Sequence, residues 1–309
     1  MHPAFSLILF TTLSGAGFGA LTAAWLTGRF LGIDGLQITA ILGFLMAGFG
    51  LLNSLLHLRS PARARFALSQ WRTSWLSREG VLAIVTMLLA FVLIVASFLR
   101  EDPFARDYDA WRFAGIALAI ISMVTVRATG MIYQSIAAVP SWAKQPTSLI
   151  FLLFAATGGG MIALAAAGDA SNMGYGVVLF FLFTVWYFKV TVWGRIDRMA
   201  PTATIGSATG LGDNDVRLFE RPHVTENWLT KEMGFRVARR HAMKLRLVAV
   251  IAGGLLPAAI IALPLFDVAP HWLCWLAVPI HLAGVMVERW LFFAEAKHVQ
   301  MLFYGEQAV

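Results

Sequence analysis

The stretch HLRSPARARFALSQWRTSWLSREG, His57 to Gly80, separates two long apolar runs and carries a histidine, a glutamate and five arginines. On either side the chain reads as membrane-spanning helix, so this stretch is where it leaves the bilayer and re-enters. Composition supports that reading. The 309-residue chain is 59% hydrophobic, has a mean hydropathy of +0.72 and carries only 13% charged residues. A soluble domain has about 25% charged residues, and a chain this apolar has too little charge to cover a water-facing surface. The sequence therefore predicts an all-α polytopic integral membrane protein. The single cysteine, Cys274, excludes an internal disulfide, a cysteine-ligated iron–sulfur cluster and a Cys-rich zinc site. The opening MHPAFSLILF lacks the basic n-region of a signal peptide and is read as part of a retained first helix.

A spanning helix takes about 20 mostly apolar residues. Eight segments meet that test: 5–31, 38–58, 79–99, 111–137, 146–168, 173–193, 245–265 and 272–294. The expectation is a bundle of eight transmembrane helices with interfacial amphipathic helices, forming one transmembrane domain over 1–309. Its two longer polar connections are 59–78 and 194–244. With an even number of spans both termini share a side. On that side lie Arg59, Arg63, Arg65, Arg72, Arg78, Lys144, ten basic residues from Arg195 to Arg246, and Lys297, 17 in all. Arg29, Arg100, Arg106 and Arg112 make 4 on the other. The positive-inside rule makes the 17-charge face, and both termini, cytoplasmic. The net charge of +7 then reflects membrane orientation and implies no nucleic acid.

Small residues line several spans: SGAGFGA in the first, GFLMAGFG in the second and ATGGGMIALAAAG in the fifth. Such stripes let helix backbones approach closely. None follows a strand, so none reads as a nucleotide-binding loop.

Within the opening stretch, Ser60-Pro61 fits an N-cap followed by proline at the first helical position. Ala64, Leu68, Trp71 and Trp75 then recur at helical spacing, with Arg63, Arg65 and Arg72 off that stripe, as in a helix lying in the membrane interface. Ser77 is expected to cap the following span, leaving Glu79 in its first turn. His57 and Glu79 stand at one membrane depth beneath the arginines. An imidazole and a carboxyl at the rim of an apolar pocket suit a quinone, which reaches its site through lipid and gains protons with its electrons. They also suit a plainer reading, in which Glu79 complements the positive end of its helix and His57 is an interfacial residue.

These residues resemble a known family. LLHLRSPARA…SWLSREG is similar to the HLGSPxRA…LSNE signature of the DmsC family, membrane anchors of DMSO-reductase-type molybdoenzymes. MIYQSIAAVPSW at 131–142 resembles its VYNTIDTVPTW segment, and LAGVMVERWLFF at 282–293 its last-span pattern. The chain departs from the family pattern at Arg59, Met131 and Val285. The resemblance implies an anchor with no haem and no metal of its own. It would hold a four-cluster ferredoxin-like iron–sulfur subunit and a molybdopterin catalytic subunit, and exchange electrons with a bound quinone. It places the quinone-site histidine, arginine and glutamate on His57, Arg63 and Glu79. MHPAFSLI and TIGSATGLG…KEMGFRVARRHA further resemble anchors of cytoplasmic sulfite-oxidising complexes of the SoeABC type. That direction would reduce quinone; the alternative is a quinol-oxidising anchor of an S-oxide reductase.

Other polar residues are candidates because ionisable groups inside a membrane are functional by default. Arg127 and Tyr133 approach the cytoplasmic end of the fourth span and are read as lining the same pocket, with snorkelling the other reading for Arg127. His281, Glu288 and Glu295 share a helix face, which either carries protons or pins the helix, with Arg289 free to pair with either acid. Lys189 is expected to snorkel. In the long loop, GSATGLG at 206–212 reads as flexible, and TENWLTKEMGFRVARRHAMKLR reads as a basic interfacial helix capped by Thr225. Arg59, Arg65, Arg72, Arg239 and Arg240 are either lipid headgroup contacts or a docking surface for the partner subunit. Two rival functions remain. A dihaem cytochrome b needs four intramembrane histidines, and only His281 lies well inside a span. A secondary transporter usually shows inverted repeats; none is evident.

Overall fold

A computed structural model describes the chain apart from residues 1–3, 56–63, 100–108, 169, 213–215, 221, 223–224, 226 and 234–236. His57, Arg59, Arg63 and the Ser60-Pro61 cap lie outside the described residues. The described chain is helical. We number the long helices α1 (Phe5–Leu55), α2 (Trp75–Phe98), α3 (Asp109–Gln134), α4 (Thr147–Ala166), α5 (Asn172–Asp197), α6 (Val237–Val250, Ile251–Leu255 and Leu256–Leu265 in continuous succession) and α7 (Cys274–Ala294).

The expectation of eight transmembrane helices is corrected. Among the described residues seven helices are long and apolar enough to cross a membrane. The segments 5–31 and 38–58 are not separate helices joined by a loop. They form one 51-residue element whose only non-helical residue is Gly32, at φ 70° and ψ 175°. That conformation is open essentially to glycine alone, so one residue reverses the chain where a short loop was expected. The two arms lie antiparallel: a Cβ at Gly17 would strike Gly43 and Ala47, and one at Gly50 would strike Ser14.

The small-residue stripes are contact surfaces. Gly19 of α1 and Gly159 of α4 meet backbone to backbone, and a Cβ on either would overlap the other helix's main chain. α1 packs on α4 and α3, and α2 packs on α3, where Thr86 and Thr125 hydroxyls bond at 3.0 Å. In the other half α6 and α7 cross through Gly253 and Gly284. There α6 widens into a π-turn over Ile251–Leu255. The Gly253 carbonyl accepts a bond from Trp186 Nε1 at 2.8 Å and contacts His281 Nδ1 at 2.6 Å. π-turns inside α-helices concentrate at functional positions, and this one ties α5 and α7 to one carbonyl. Leu88, Phe91, Phe180 and Phe183 stay exposed on the outside, where the bilayer supplies their contacts.

The polar connections differ from expectation in detail. The helix of the opening stretch is short: Ala64–Ala67 runs into a 3₁₀ turn at Leu68–Gln70, and Trp71–Thr73 form a turn. Ser74, not Ser77, caps α2, its side chain accepting from the Ser77 amide; the Ser77 hydroxyl donates back to the Ala67 carbonyl. GSATGLG is not loose loop. Ile205–Thr209 is helical, opened by a Thr204–Ser207 capping box and closed by Gly210 at φ 75°. The extended approach to it pairs with Val309 through Thr202 and Ala203. In the basic segment Asn227, not Thr225, caps Trp228–Met233, accepting from the Thr230 amide at 2.9 Å. Arg239 and Arg240 belong to the first turns of α6.

Candidate functional site

α2 enters the bilayer with Glu79 in its second turn, 5% exposed, and α3 leaves it with Thr129 and Tyr133 one turn apart on the buried face. Thr129 Oγ1 lies 2.5 Å from Glu79 Oε1 and 3.2 Å from the Thr125 carbonyl oxygen. The first distance is that of an O–H···O⁻ bond. This arrangement serves both protonation states of the carboxyl. When Glu79 is ionised, the threonine hydroxyl donates to it. When Glu79 is protonated, it donates to the threonine oxygen, whose own hydrogen turns to the Thr125 carbonyl. Leu68 packs against Gly80, so the short helix of the opening stretch covers the start of α2. Arg78 donates to the carbonyls of Trp71 (3.0 Å) and Arg72 (2.6 Å) and stacks 4.4 Å over Trp75. Arg65 and Arg72 are exposed beside Phe66 and Trp71.

Tyr133 is enclosed by Trp142, Phe151, Phe292 and Phe293, with ring centroids 5.4 to 5.8 Å from its own. Pro140 opens the short helix that carries Trp142, whose Nε1 donates to the Phe292 carbonyl at 3.0 Å. Arg127 sits six residues before Tyr133, about 240° around the helix. It is exposed on the outer surface, so the structure does not bring the two side chains together.

On α7, Glu288 is fully buried, in ion pairs with Lys189 of α5 and, at 3.3 Å, with Arg289. Lys189 does not snorkel as expected: its side chain is 4% exposed because a carboxylate meets it inside the bundle. The Arg289 guanidinium lies 3.7 Å over Phe151 and extends the charge towards Tyr133. Nearer the arginine-rich end, Arg246 of α6 binds Glu295, just past α7 (3.0 Å), and both carboxylate oxygens of Asp197 at the end of α5 (2.6 and 2.9 Å). Burial pushes the Glu295 carboxyl above its usual range, with Arg246 and Lys189 opposing the shift. His281 lies on the face of Glu288, two turns deeper and 1% exposed. A carbonyl only accepts, so the contact with Gly253 puts the imidazole hydrogen on Nδ1 and leaves Nε2 as an acceptor.

Sequence reasoning missed Thr129 and Lys189 as members of this cluster. The signal for Lys189 was a cation amid aromatics with an acid available on another span. Thr129 had none beyond its spacing four residues before Tyr133. Among the described residues no group of three or more His, Cys, Asp or Glu is arranged to hold a metal, and Cys274 is a buried free thiol.

A buried carboxyl, a caged tyrosine and an inward arginine at one end of a helical bundle are set on the motifs quoted above, and comparison with known proteins agrees. Residues 1–305 match the family described as DMSO reductase anchor subunit (DmsC). This chain belongs to the DmsC family. Its family-level role is that of a membrane anchor of a molybdopterin oxidoreductase linked to the quinone pool. Along its whole length, and the whole length of the relative, it is 32% identical to a sulfite dehydrogenase subunit of Allochromatium vinosum. A DmsC anchor is a multi-pass protein of the bacterial inner membrane, in keeping with seven apolar helices.

Proposed function

We propose that this DmsC-family chain is the quinone-reactive anchor of a sulfite-oxidising molybdopterin complex, passing electrons from an iron–sulfur subunit to quinone in the bacterial inner membrane. The observation that carries the reading is the buried Glu79 carboxyl, held by Thr129 in a geometry that serves both protonation states. Reducing a quinone forms two O–H bonds from two electrons and two protons, so a site needs a buried group that gives and regains a proton. Glu79 is that group. Tyr133 orients the ring from its aromatic cage, and His57 and Arg63 bind the quinone oxygens from the connection above. Arg127, on the outer surface of α3, faces the side from which a lipid-soluble substrate enters. Glu288 and His281 serve proton movement deeper in the bundle. Arg59, Arg65, Arg72, Arg239 and Arg240 form the docking face for the iron–sulfur subunit, on the cytoplasmic side with both termini, which share a side because α1 turns back on itself at Gly32 and begins and ends on one face. The name of the Allochromatium relative supports sulfite as electron source.

The test is turnover of the purified complex with a quinone and, separately, with an artificial acceptor that takes electrons from the catalytic subunits. In Glu79→Gln, quinone-linked turnover should fall by about 10²-fold or more while artificial-acceptor turnover persists. Full quinone-linked turnover in that variant would remove Glu79 from the site and the reading with it.

A further inference from the structure

We propose that Glu79 is reprotonated from the arginine-rich face along a water-filled route through the bundle interior, entering at Glu295 and Ser141, passing Arg289 and ending at Thr129. This rests on the assignment of Glu79 above and adds the path and the side from which its protons come.

Three cavities in succession trace the route. The outermost lies just past the ends of α5 and α7, beside exposed Lys297, Ala200 and Pro201. It shares Ser141, Ile196 and Glu295 with a second, narrower one between α4, α5 and α7. That one shares Phe151 and Arg289 with a third, with room for about one water, whose wall includes Thr129, the partner of Glu79. The direct way to Glu79 is covered by Leu68 on Gly80 and by the bond from Ser77 to the Ala67 carbonyl.

A chain of cavities conducts protons only if it is wet, and an apolar void stays dry. Here a buried polar atom without a hydrogen-bond partner among the described residues marks each junction. Ser141 Oγ stands between the first and second cavities and Arg289 Nε between the second and third; Thr12 Oγ1 and His281 Nε2 face the third. Such atoms are where internal water binds, each water making about three hydrogen bonds. A cation on the path would repel protons, but its charge is compensated. Lys189, Arg289 and Arg246 are matched by Glu288, Glu295 and Asp197, three against three. Arg289 therefore orients water as a positioning residue and carries no proton itself. Glu295 rests as the anion paired with Arg246 and takes a proton only transiently at the mouth; burial raises the proton affinity of its carboxyl, and Arg246 and Lys189 oppose the rise. In one turnover two protons leave the water on this face and become the two hydroxyl hydrogens of the quinol. The two electrons come from the partner's iron–sulfur cluster.

The experiment uses the whole complex in liposomes, with a pH-sensitive dye on one side and a quinone analogue to report binding. Ser141→Leu fills the first junction; Glu295→Gln removes the entry proton while keeping hydrogen-bond capacity. Each should lower quinone-linked turnover at least tenfold, leave artificial-acceptor turnover and analogue binding unchanged, and recover partly with a small permeant weak acid. In the parent complex sulfite oxidation releases about as many protons on the arginine-rich face as quinone reduction takes from it, so the dye should report no loss of protons from the opposite compartment. If Ser141→Leu also loses artificial-acceptor turnover it has failed to assemble, and Glu295→Gln decides. Full quinone-linked turnover in Glu295→Gln, or uptake from the opposite face, overturns the route. The site and the route fail separately: a harmless Glu79→Gln sinks the site, whereas a crippled Glu79→Gln beside a harmless Glu295→Gln sinks only the route.

Discussion

The two halves of the bundle solve one problem differently. Between lipid-exposed helices there is no hydrophobic drive to associate, because lipid tails are as apolar as the side chains. In the half built from α1 to α4 the answer is proximity. Gly17, Gly19, Gly43 and Gly159 bring backbones into direct contact, and hydroxyls such as Thr86 and Thr125 bond across. In the half built from α5 to α7 the answer is mostly large side chains and charge. Trp186 and Trp193 fill the space, and Lys189, Glu288 and Arg289 form a buried ionic cluster. The site lies on the seam. Glu79, Thr129 and Tyr133 come from the first half, and Arg289 reaches across from the second to lie on Phe151 of α4. Close packing fixes the positions of Glu79, Thr129 and Tyr133; the ionic half supplies the buried cation.

That contrast is broken most severely at Glu288. Glu288→Leu leaves Lys189 and Arg289 buried without an anion and should cost about 3–5 kcal/mol, read as lost thermal stability in detergent. Adding Lys189→Met to it should recover part of the loss. Next comes the close-packed half, where Gly159→Leu forces α1 and α4 apart at a cost of about 1–3 kcal/mol; a smaller effect from Gly176→Leu, which meets nothing nearby, is the control. Should the two glycines respond alike, proximity does not hold that half together. The smallest effect is expected at Trp186→Phe, which removes one donor from the Gly253 carbonyl while His281 remains, at about 0.5–1.5 kcal/mol. Its use is to sharpen the role of the π-turn: if the quinone-linked rate falls while stability is kept, the turn serves His281 rather than packing.

Much of this was legible in the sequence. Hydropathy identified the helices, because a chain with so few charges has no other way to satisfy its backbone in lipid. The stripes SGAGFGA and ATGGGMIALAAAG marked the close contacts, since only small residues permit them. Glu79 stood out as an acid at the start of an apolar span. What the sequence did not determine was how distant charges pair. Lys189 looked like a residue reaching for water, and only the tertiary arrangement that turns its side chain inward set it on Glu288. A break between 31 and 38 was legible, but that Gly32 alone turns the chain without a loop was not, because one dihedral angle leaves no mark in hydropathy. Tertiary structure alone decided that Thr129 meets Glu79, that Arg127 turns outward while Tyr133 turns in, and that three cavities line up behind them. Those are distances between helices, and they follow from shape and packing that no single segment contains.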